Sequence, residues 1–182
     1  MPKITGFIGV VGSGKTYRRD ALRTKGFIAI DFKDALIDMV EDLVGFPIRN
    51  DYEGFKERII GMPNAYIDML DQCPEAMTGR RLLQRLGTEV MRKRDPNYWV
   101  NAWTKRANDA VNGGKSVVVA DVRFQNEIDA IEDLGKKLGV EPNIVFCDYR
   151  SDRYDATSTH PSEALAQDLL QKGYKDGDEI TL

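Results

Sequence analysis

Apolar residues in this chain fall into short continuous runs and helical stripes, separated by glycine, proline and aspartate. The run 4–9 reads as a strand entering the glycine-rich stretch 10–14, with a helix following from Lys15 towards Thr24. A second run, 27–30, ends at Asp31 and leads into a helix with Ala35, Leu36, Met39, Val40 and Leu43 on one face, stopped by Gly45 and Pro47. Between 48 and 77 the periodicity weakens, and Pro63 and Pro74 break short helical stretches, as in a lobe inserted over a sheet edge. The segment 79–92 predicts an amphipathic helix with Leu82, Leu83, Leu86 and Val90 inward. Asp95 is placed to cap, and Pro96 to open, a further helix with the stripe Trp99, Trp103, Ala107 and Val111, ended by Gly113 and Gly114.

The continuous run 116–120, ending in Asp121, has the mark of a parallel strand buried on both faces. A helix with Phe124, Ile128, Ile131, Leu134 and Leu138 follows it. Then come a strand at 143–147, a polar loop at 148–159, a helix at 161–172 and a short final strand at 179–182. Strands alternating with helices predict an α/β fold with a central parallel sheet of about five strands. The length of 182 residues fits one domain, 1–182, with 48–112 as a helical lobe and 149–160 as a loop able to act as a lid.

Composition narrows the chemistry. Lys plus Arg number 26 against 29 Asp plus Glu, a net charge of -3, so no global positive field draws nucleic acid and any polyanion site must be local. No run approaches the length of a membrane span, and no basic leader precedes a long apolar stretch, so a soluble, intracellular, cytoplasmic protein without a membrane partner is expected. Two cysteines, Cys73 and Cys147, and the single histidine, His160, cannot build a Cys/His zinc cluster. With no nucleophile elbow in the chain, the sequence does not support a hydrolase built on a Ser-His-Asp or Cys-His arrangement either.

The residues Gly9, Gly14, Lys15 and Thr16 match G-x-x-x-x-G-K-[ST], between a predicted strand and a predicted helix, where phosphate binding needs them. Backbone N–H groups over Val11, Gly12, Ser13 and Gly14, together with the positive helix end, suit the phosphates of ATP; Lys15 adds a cation, and the Thr16 hydroxyl suits Mg²⁺. Ligands of parallel α/β sheets bind at the carboxyl ends of strands, where Asp31 and Asp121 also fall. Asp121 fits a metal-holding role, or a helix cap; Asp31 fits orienting or deprotonating an attacking oxygen, or again a cap, with Lys33 on an acceptor phosphate or in solvent. Arg123 lies close enough to the same edge for a bidentate phosphoryl contact. Asn126 and Glu127 open the next helix, where Glu127 either pairs with a basic substrate-site group or favours the helix's positive end. Arg150 and Arg153 sit in the polar loop, as lid arginines closing on a transferring phosphoryl or as solvated charges. Arg80, Arg81, Arg85, Arg92, Lys93 and Arg94 concentrate positive charge near Gln84, Trp99 and Asn101; the patch suits a phosphorylated acceptor, or is a solvated face, and the tryptophans suit a core.

The string 78–89 with Arg92, the tryptophans that follow, and Asp121, Arg123, Asn126 and Glu127 resemble the bacteriophage deoxynucleoside monophosphate kinases, as do the Asp31/Lys33 pair and the sequence His160, Pro161, Ser162, Glu163. The resemblance touches most of the chain. It implies a three-layer P-loop kinase fold with a monophosphate-binding helical lobe and an arginine-bearing lid, moving the γ-phosphoryl of Mg²⁺-ATP to a dNMP to supply precursors for phage DNA in the host cytoplasm. It assigns Lys15 and Thr16 to ATP and Mg²⁺, Arg80, Gln84 and Arg92 to the monophosphate lobe, Arg123 to the acceptor phosphate and Arg150 to the lid. The chain ends at Leu182, earlier than the resemblance leads one to expect, which leaves the adenine contact open. Two alternatives stand beside this reading: a kinase for another acceptor, such as a modified base in DNA or dephospho-coenzyme A, and a nucleotide-dependent switch. An apolar helix face left over is compatible with a homodimer.

Overall fold

The computed structural model describes residues 1–61, 76–152, 154, 155, 157 and 161–180. In chain order its elements are β1 (Ile4–Ile8), α1 (Lys15–Arg23), β2 (Ile28–Ala29), α2 (Asp34–Val44), α3 (Tyr52–Glu57), β3 (Ile59–Gly61), β4 (Ala76–Thr78) and α4 (Gly79–Gln84). There follow α5 (Tyr98–Asn112), β5 (Val117–Val122), α6 (Gln125–Leu138), β6 (Pro142–Phe146) and α7 (Ala164–Gln171). Single 3-10 turns occupy Arg49–Asp51 and Pro161–Glu163, and Arg85–Arg92 is π-helical. The chain divides into two compact units, Met1–Phe32 with Val100–Leu182, and Lys33–Trp99.

The first unit is built on a parallel sheet of four strands in the order β2-β5-β1-β6. Alternation along each strand sends side chains to opposite faces, and here both faces are covered. Ile4 and Ile8 of β1, Val117, Val119 and Val122 of β5, and Ile144 and Phe146 of β6 share one core with Trp103 of α5, Ile128 and Ile131 of α6, and Leu169 of α7. Phe7, Val118 and Cys147 form a separate core, against which Leu22 of α1 packs. The result is helix, sheet and helices in three layers, as predicted. Gly6 lets α6 come close, since a Cβ there would lie 3.1 Å from Ile131 Cδ1. Trp103, 1% exposed, donates its indole N–H to Ile30 O at 2.9 Å, so its polar atom is satisfied inside the core.

The expected fifth parallel strand is corrected. Gly177 N donates to Phe146 O (2.9 Å), Phe146 N to Asp178 O (2.8 Å) and Ile180 N to Ile144 O (2.7 Å), so this segment forms an antiparallel bridge beside β6. The turn after α7 delivers the chain to the carboxyl end of β6, from which it can only run backwards along that strand. Residues 181 and 182 lie outside the described residues.

In the second unit, α2, α3, α4, the π-helical segment and the antiparallel pair β3–β4 surround a core of Ile37, Val40, Leu43, Ile48, Phe55, Ile60, Met77, Leu82, Leu83 and Leu86. The strand pair was not foreseen, because its two arms flank 62–75, which falls outside the described residues together with Pro63, Cys73 and Pro74. The single helix predicted over 79–92 is also corrected. Thr78 caps α4, its Oγ1 accepting from Arg81 N at 3.2 Å, and from Arg85 onward the turn widens to the π form. Two glycines set this packing by close approach: a Cβ on Gly79 would lie 2.2 Å from Phe55 O, and one on Gly87 2.9 Å from Leu36 Cδ2. Asp95 Oδ1 accepts from Asn97 N (2.8 Å), which delays the start of α5 to Tyr98, two residues beyond Pro96. No helix among the described residues is long and apolar enough to cross a membrane.

Candidate active site

β1 ends at a loop that glycine alone can form. A Cβ on Gly9 would fall 2.2 Å from Cys147 O and 2.4 Å from Ser13 Oγ, and Gly12 and Gly14 hold left-handed φ values of 77° and 83°. Gly14 is the N-cap of α1 and offers no side-chain oxygen to it. The N–H groups of the first turn of a helix have no intrahelical acceptor, so a glycine cap leaves their hydrogen-bonding capacity and the positive helix end for an anion. Thr16, exposed, opens the same helix.

Lys15 lies folded back on the loop, only 8% exposed, with Nζ donating to Gly9 O (2.5 Å), Val10 O (2.7 Å) and Ser13 Oγ (3.4 Å). Burial pushes its ammonium down to about 8; the Arg123 charge adds to the fall, while Glu163, Cys147 and Asp121 oppose it. Cys147 is buried, and its thiol is pushed up to about 11 by that burial.

Asp31 and Asp121 sit at adjacent strand ends and lace them together: Asp31 Oδ1 accepts from Ala120 N at 2.8 Å and Asp121 Oδ1 from Phe32 N at 2.9 Å. Asp31 Oδ2 accepts from Arg19 Nη1 at 2.9 Å, with the carboxylate 4% and the guanidinium 18% exposed. Arg19 was missed in the sequence, although it stands one helical turn after Lys15 on α1 and so belongs to the same end of the sheet. With one oxygen on a backbone amide and the other on a guanidinium, Asp31 is arranged as a structural tie more than as a base.

Glu127, 1% exposed, accepts through Oε2 from the backbone N–H groups of Arg123 (2.7 Å) and Phe124 (3.1 Å). It caps the start of α6, and a substrate contact by this carboxylate, one of the two sequence alternatives, is displaced by that role. Asn126 is half-buried beside it. Arg123 is paired with Glu163 and donates Nη1 to Ser162 Oγ at 3.1 Å. Glu163, 2% exposed, also accepts from Val11 N at 2.9 Å, so of the loop residues assigned to ATP the amide of Val11 already has a partner. The sequence showed Glu163 only within the string His160, Pro161, Ser162, Glu163 at the start of the helix expected over 161–172.

The polar loop after β6 lies on the glycine-rich loop. Ser151 Oγ donates to Gly12 O at 2.7 Å, Asp155 N donates to Val11 O at 3.0 Å, and Tyr149 packs where a Cβ on Gly14 would stand 3.1 Å from its own Cβ. Arg150 is exposed, 3.7 Å from Asp148 and 5.3 Å above the Tyr154 ring, whose hydroxyl donates to Asp148 Oδ1 at 2.6 Å. Arg153 and His160 lie outside the described residues, as do 156, 158 and 159.

The other residues assigned to the acceptor belong to the second unit. Lys33 stands at the N-cap of α2 without capping it. Arg80 is exposed and pairs with Glu57 at 2.7 Å, Gln84 ends α4, and Arg92 ends the π segment, donating to Pro96 O at 3.4 Å. A π turn displaces side chains from the α-helical register and recurs at functional sites. Trp99, which stands beside the basic patch in sequence, takes the core role and not that of a substrate contact: 3% exposed, it donates Nε1 to Gly87 O at 2.8 Å inside this unit.

A parallel sheet whose central strand feeds a glycine loop, a buried lysine and an uncapped helix start defines a P-loop phosphotransferase fold. A family model described as deoxynucleotide monophosphate kinase matches residues 34–165, well over half of the sequence, and the chain belongs to that family. It is an ATP-dependent nucleotide kinase. The matched segment begins beyond the P-loop, so loop and family point to phosphoryl transfer independently. No curated protein matches the chain. Among solved structures, a cysteine-to-alanine mutant of the Mycobacterium tuberculosis APS kinase CysC aligns over 93% of this chain and 95% of its own, at 17% identity and a TM-score of 0.33.

Proposed function

We propose that the chain transfers the γ-phosphoryl group of ATP to a deoxynucleoside monophosphate, forming the diphosphate as a DNA precursor. The observation that carries this reading is the buried Lys15 at a glycine-capped helix start, in a chain whose family is that of deoxynucleotide monophosphate kinases. Lys15 leaves the carbonyls of Gly9 and Val10 and places its charge on the β and γ phosphates, while the amides opening α1 hold the same oxygens. Arg123 takes the acceptor phosphate, Arg150 closes from the lid, and Lys33, Arg80, Gln84, Arg92 and Asn126 serve the monophosphate. The acceptor oxygen is already largely ionised at neutral pH, so no strong base is required, and Asp31 orients α1 through Arg19 instead of removing a proton.

The Thr16 hydroxyl and Asp121 carboxylate are hard oxygen donors of the kind that suits Mg²⁺, an ion that keeps several waters when bound. Held there, it would neutralise charge developing between the β and γ phosphates. The homodimer and the cytoplasmic setting belong to this proposal and rest on the sequence alone.

A coupled ADP-release assay with Mg²⁺-ATP and each dNMP, beside a control without acceptor, tests the reading. Acceptor-dependent turnover is expected with one or more dNMPs, and Lys15→Ala is expected to lose it while remaining folded by circular dichroism. ADP release equal to the control with every dNMP would overturn the acceptor assignment, and wild-type kcat in Lys15→Ala would overturn the role of the loop.

A further inference from the structure

One carboxylate near the P-loop has no part in the scheme above. Glu163 closes the 3-10 turn Pro161–Glu163 and is 2% exposed, yet it is an acid among cations. Its Oε1 faces the Arg123 guanidinium and its Oε2 accepts from Val11 N at 2.9 Å, so a single side chain holds both a phosphate-directed arginine and the backbone of the glycine loop. Ser162, its neighbour, adds the second acceptor on the same Arg123 Nη1 at 3.1 Å. Arg123 remains 34% exposed, which leaves part of its fork for a ligand. A buried carboxylate is costly unless paired and hydrogen-bonded, and this one is satisfied only in the arrangement that fixes Arg123 and Val11 together.

We propose that Glu163 is a positioning residue for phosphoryl transfer, aiming the guanidinium of Arg123 and anchoring the glycine loop through the amide of Val11. An arginine on a long flexible stem loses rotamer freedom when it meets a substrate; one already held by a buried acid loses less at the moment of transfer. Neutralising Glu163 therefore acts through Arg123 and does not act in its absence. The proposal rests on the assignment of Arg123 to the acceptor phosphate.

A double-mutant cycle separates positioning from mere support of the fold. Glu163→Gln keeps the size and an acceptor for Val11 N, and removes the charge facing Arg123. In the wild-type background it is expected to lower kcat by about tenfold or more with KM for ATP little changed, in line with a 1.4 kcal/mol loss per decade. In an Arg123→Met background it is expected to change kcat by less than about twofold. Glu163→Asp, which keeps the charge but shortens its reach, should recover part of the loss. Equal fold-losses in both backgrounds, or wild-type kcat in Glu163→Gln, would overturn the proposal. A chain that folds with neither glutamine nor aspartate at 163 would also overturn it, since the residue would then determine the fold and not the geometry of transfer. Wild-type turnover reports separately on the acceptor: if no dNMP is phosphorylated, the function reading fails, and the same cycle read on stability in urea still decides whether Glu163 and Arg123 act as one unit, a coupling energy near zero showing that they do not.

Discussion

If Lys15 meets the phosphates as proposed, nucleotide binding should be coupled to proton uptake, with a sign and size that follow from the surroundings of this lysine. Its ordinary value of 10.5 is lowered to about 8 in the nucleotide-free chain, chiefly by burial. At pH 8.5 only about one quarter of the chains then carry a protonated Lys15, whereas the terminal phosphate of ATP, with a second pKa near 6, is fully ionised. Polyphosphate beside the ammonium favours its charged form, and a return towards the ordinary value would take up about 0.7 proton per ATP at pH 8.5 but only about 0.1 at pH 7. Calorimetric titration of ATP in two buffers of different ionisation heat, at both pH values, measures this directly. Lys15→Arg, which keeps a charge and does not titrate there, is the control and should take up almost none. Uptake below about 0.2 proton at pH 8.5 with ATP bound, or equal uptake in wild type and Lys15→Arg, would refute the reasoning. The same shift affects stability: between pH 8 and 10.5 the unfolded chain binds more protons at this lysine than the folded chain, so nucleotide-free stability rises with pH across that window. A displacement from 10.5 to about 8 corresponds to about 3 kcal/mol over the full range.

Three substitutions test the scaffold under the site. Trp103→Ala removes a 1% exposed indole bonded to Ile30 O and packed 4.7 Å from the Phe32 ring, and should cost about 3–5 kcal/mol by urea denaturation; a loss under 1 kcal/mol would contradict the core assignment. Gly79→Ala places a Cβ 2.2 Å from Phe55 O, a rigid backbone atom, and should lower the melting temperature by several degrees, for a cost of about 2 kcal/mol; an unchanged melting temperature would contradict the close approach of α3 and α4. Arg19→Met strips the partner from a carboxylate 4% exposed and should cost about 3 kcal/mol at pH 7 in chemical denaturation; a loss under about 1 kcal/mol would show that the pair does not hold α1 to the strand ends.

Most of the first unit was legible because its signals are local. The run at 117–122 is buried throughout, so it reads as apolar regardless of which face is considered, and the glycine loop carries its steric requirement in the residues themselves. The direction of the last strand was not legible, since no residue between 172 and 180 states on which side of β6 the turn will deliver the chain. The π form of 85–92 was hidden for a related reason. Its apolar positions fit a helical stripe, and the widening depends on contacts that sequence spacing does not carry, the Trp99 indole on Gly87 O and the approach of Leu36 to Gly87.

At the site, what could be read was the type of each residue and what could not was its partner. Lys15 and Thr16 declare a role through their neighbours in sequence, but an isolated aspartate or glutamate at a strand or helix end reads equally as ligand or cap. Asp31, Asp121 and Glu127 each accept from a backbone N–H, the role of a cap, and do so across strands or around a loop. Glu163 and Val11 are 152 positions apart, and Arg123 and Glu163 are 40 apart. Such pairs exist only after the parallel sheet has gathered its carboxyl ends, because the order β2-β5-β1-β6 brings together loops from the beginning, middle and end of the chain. The cations needed for phosphate then crowd one edge, and buried acids from remote segments hold them apart and aimed. The same topology that makes the P-loop recognisable therefore places its supporting carboxylates where no local pattern can reveal them.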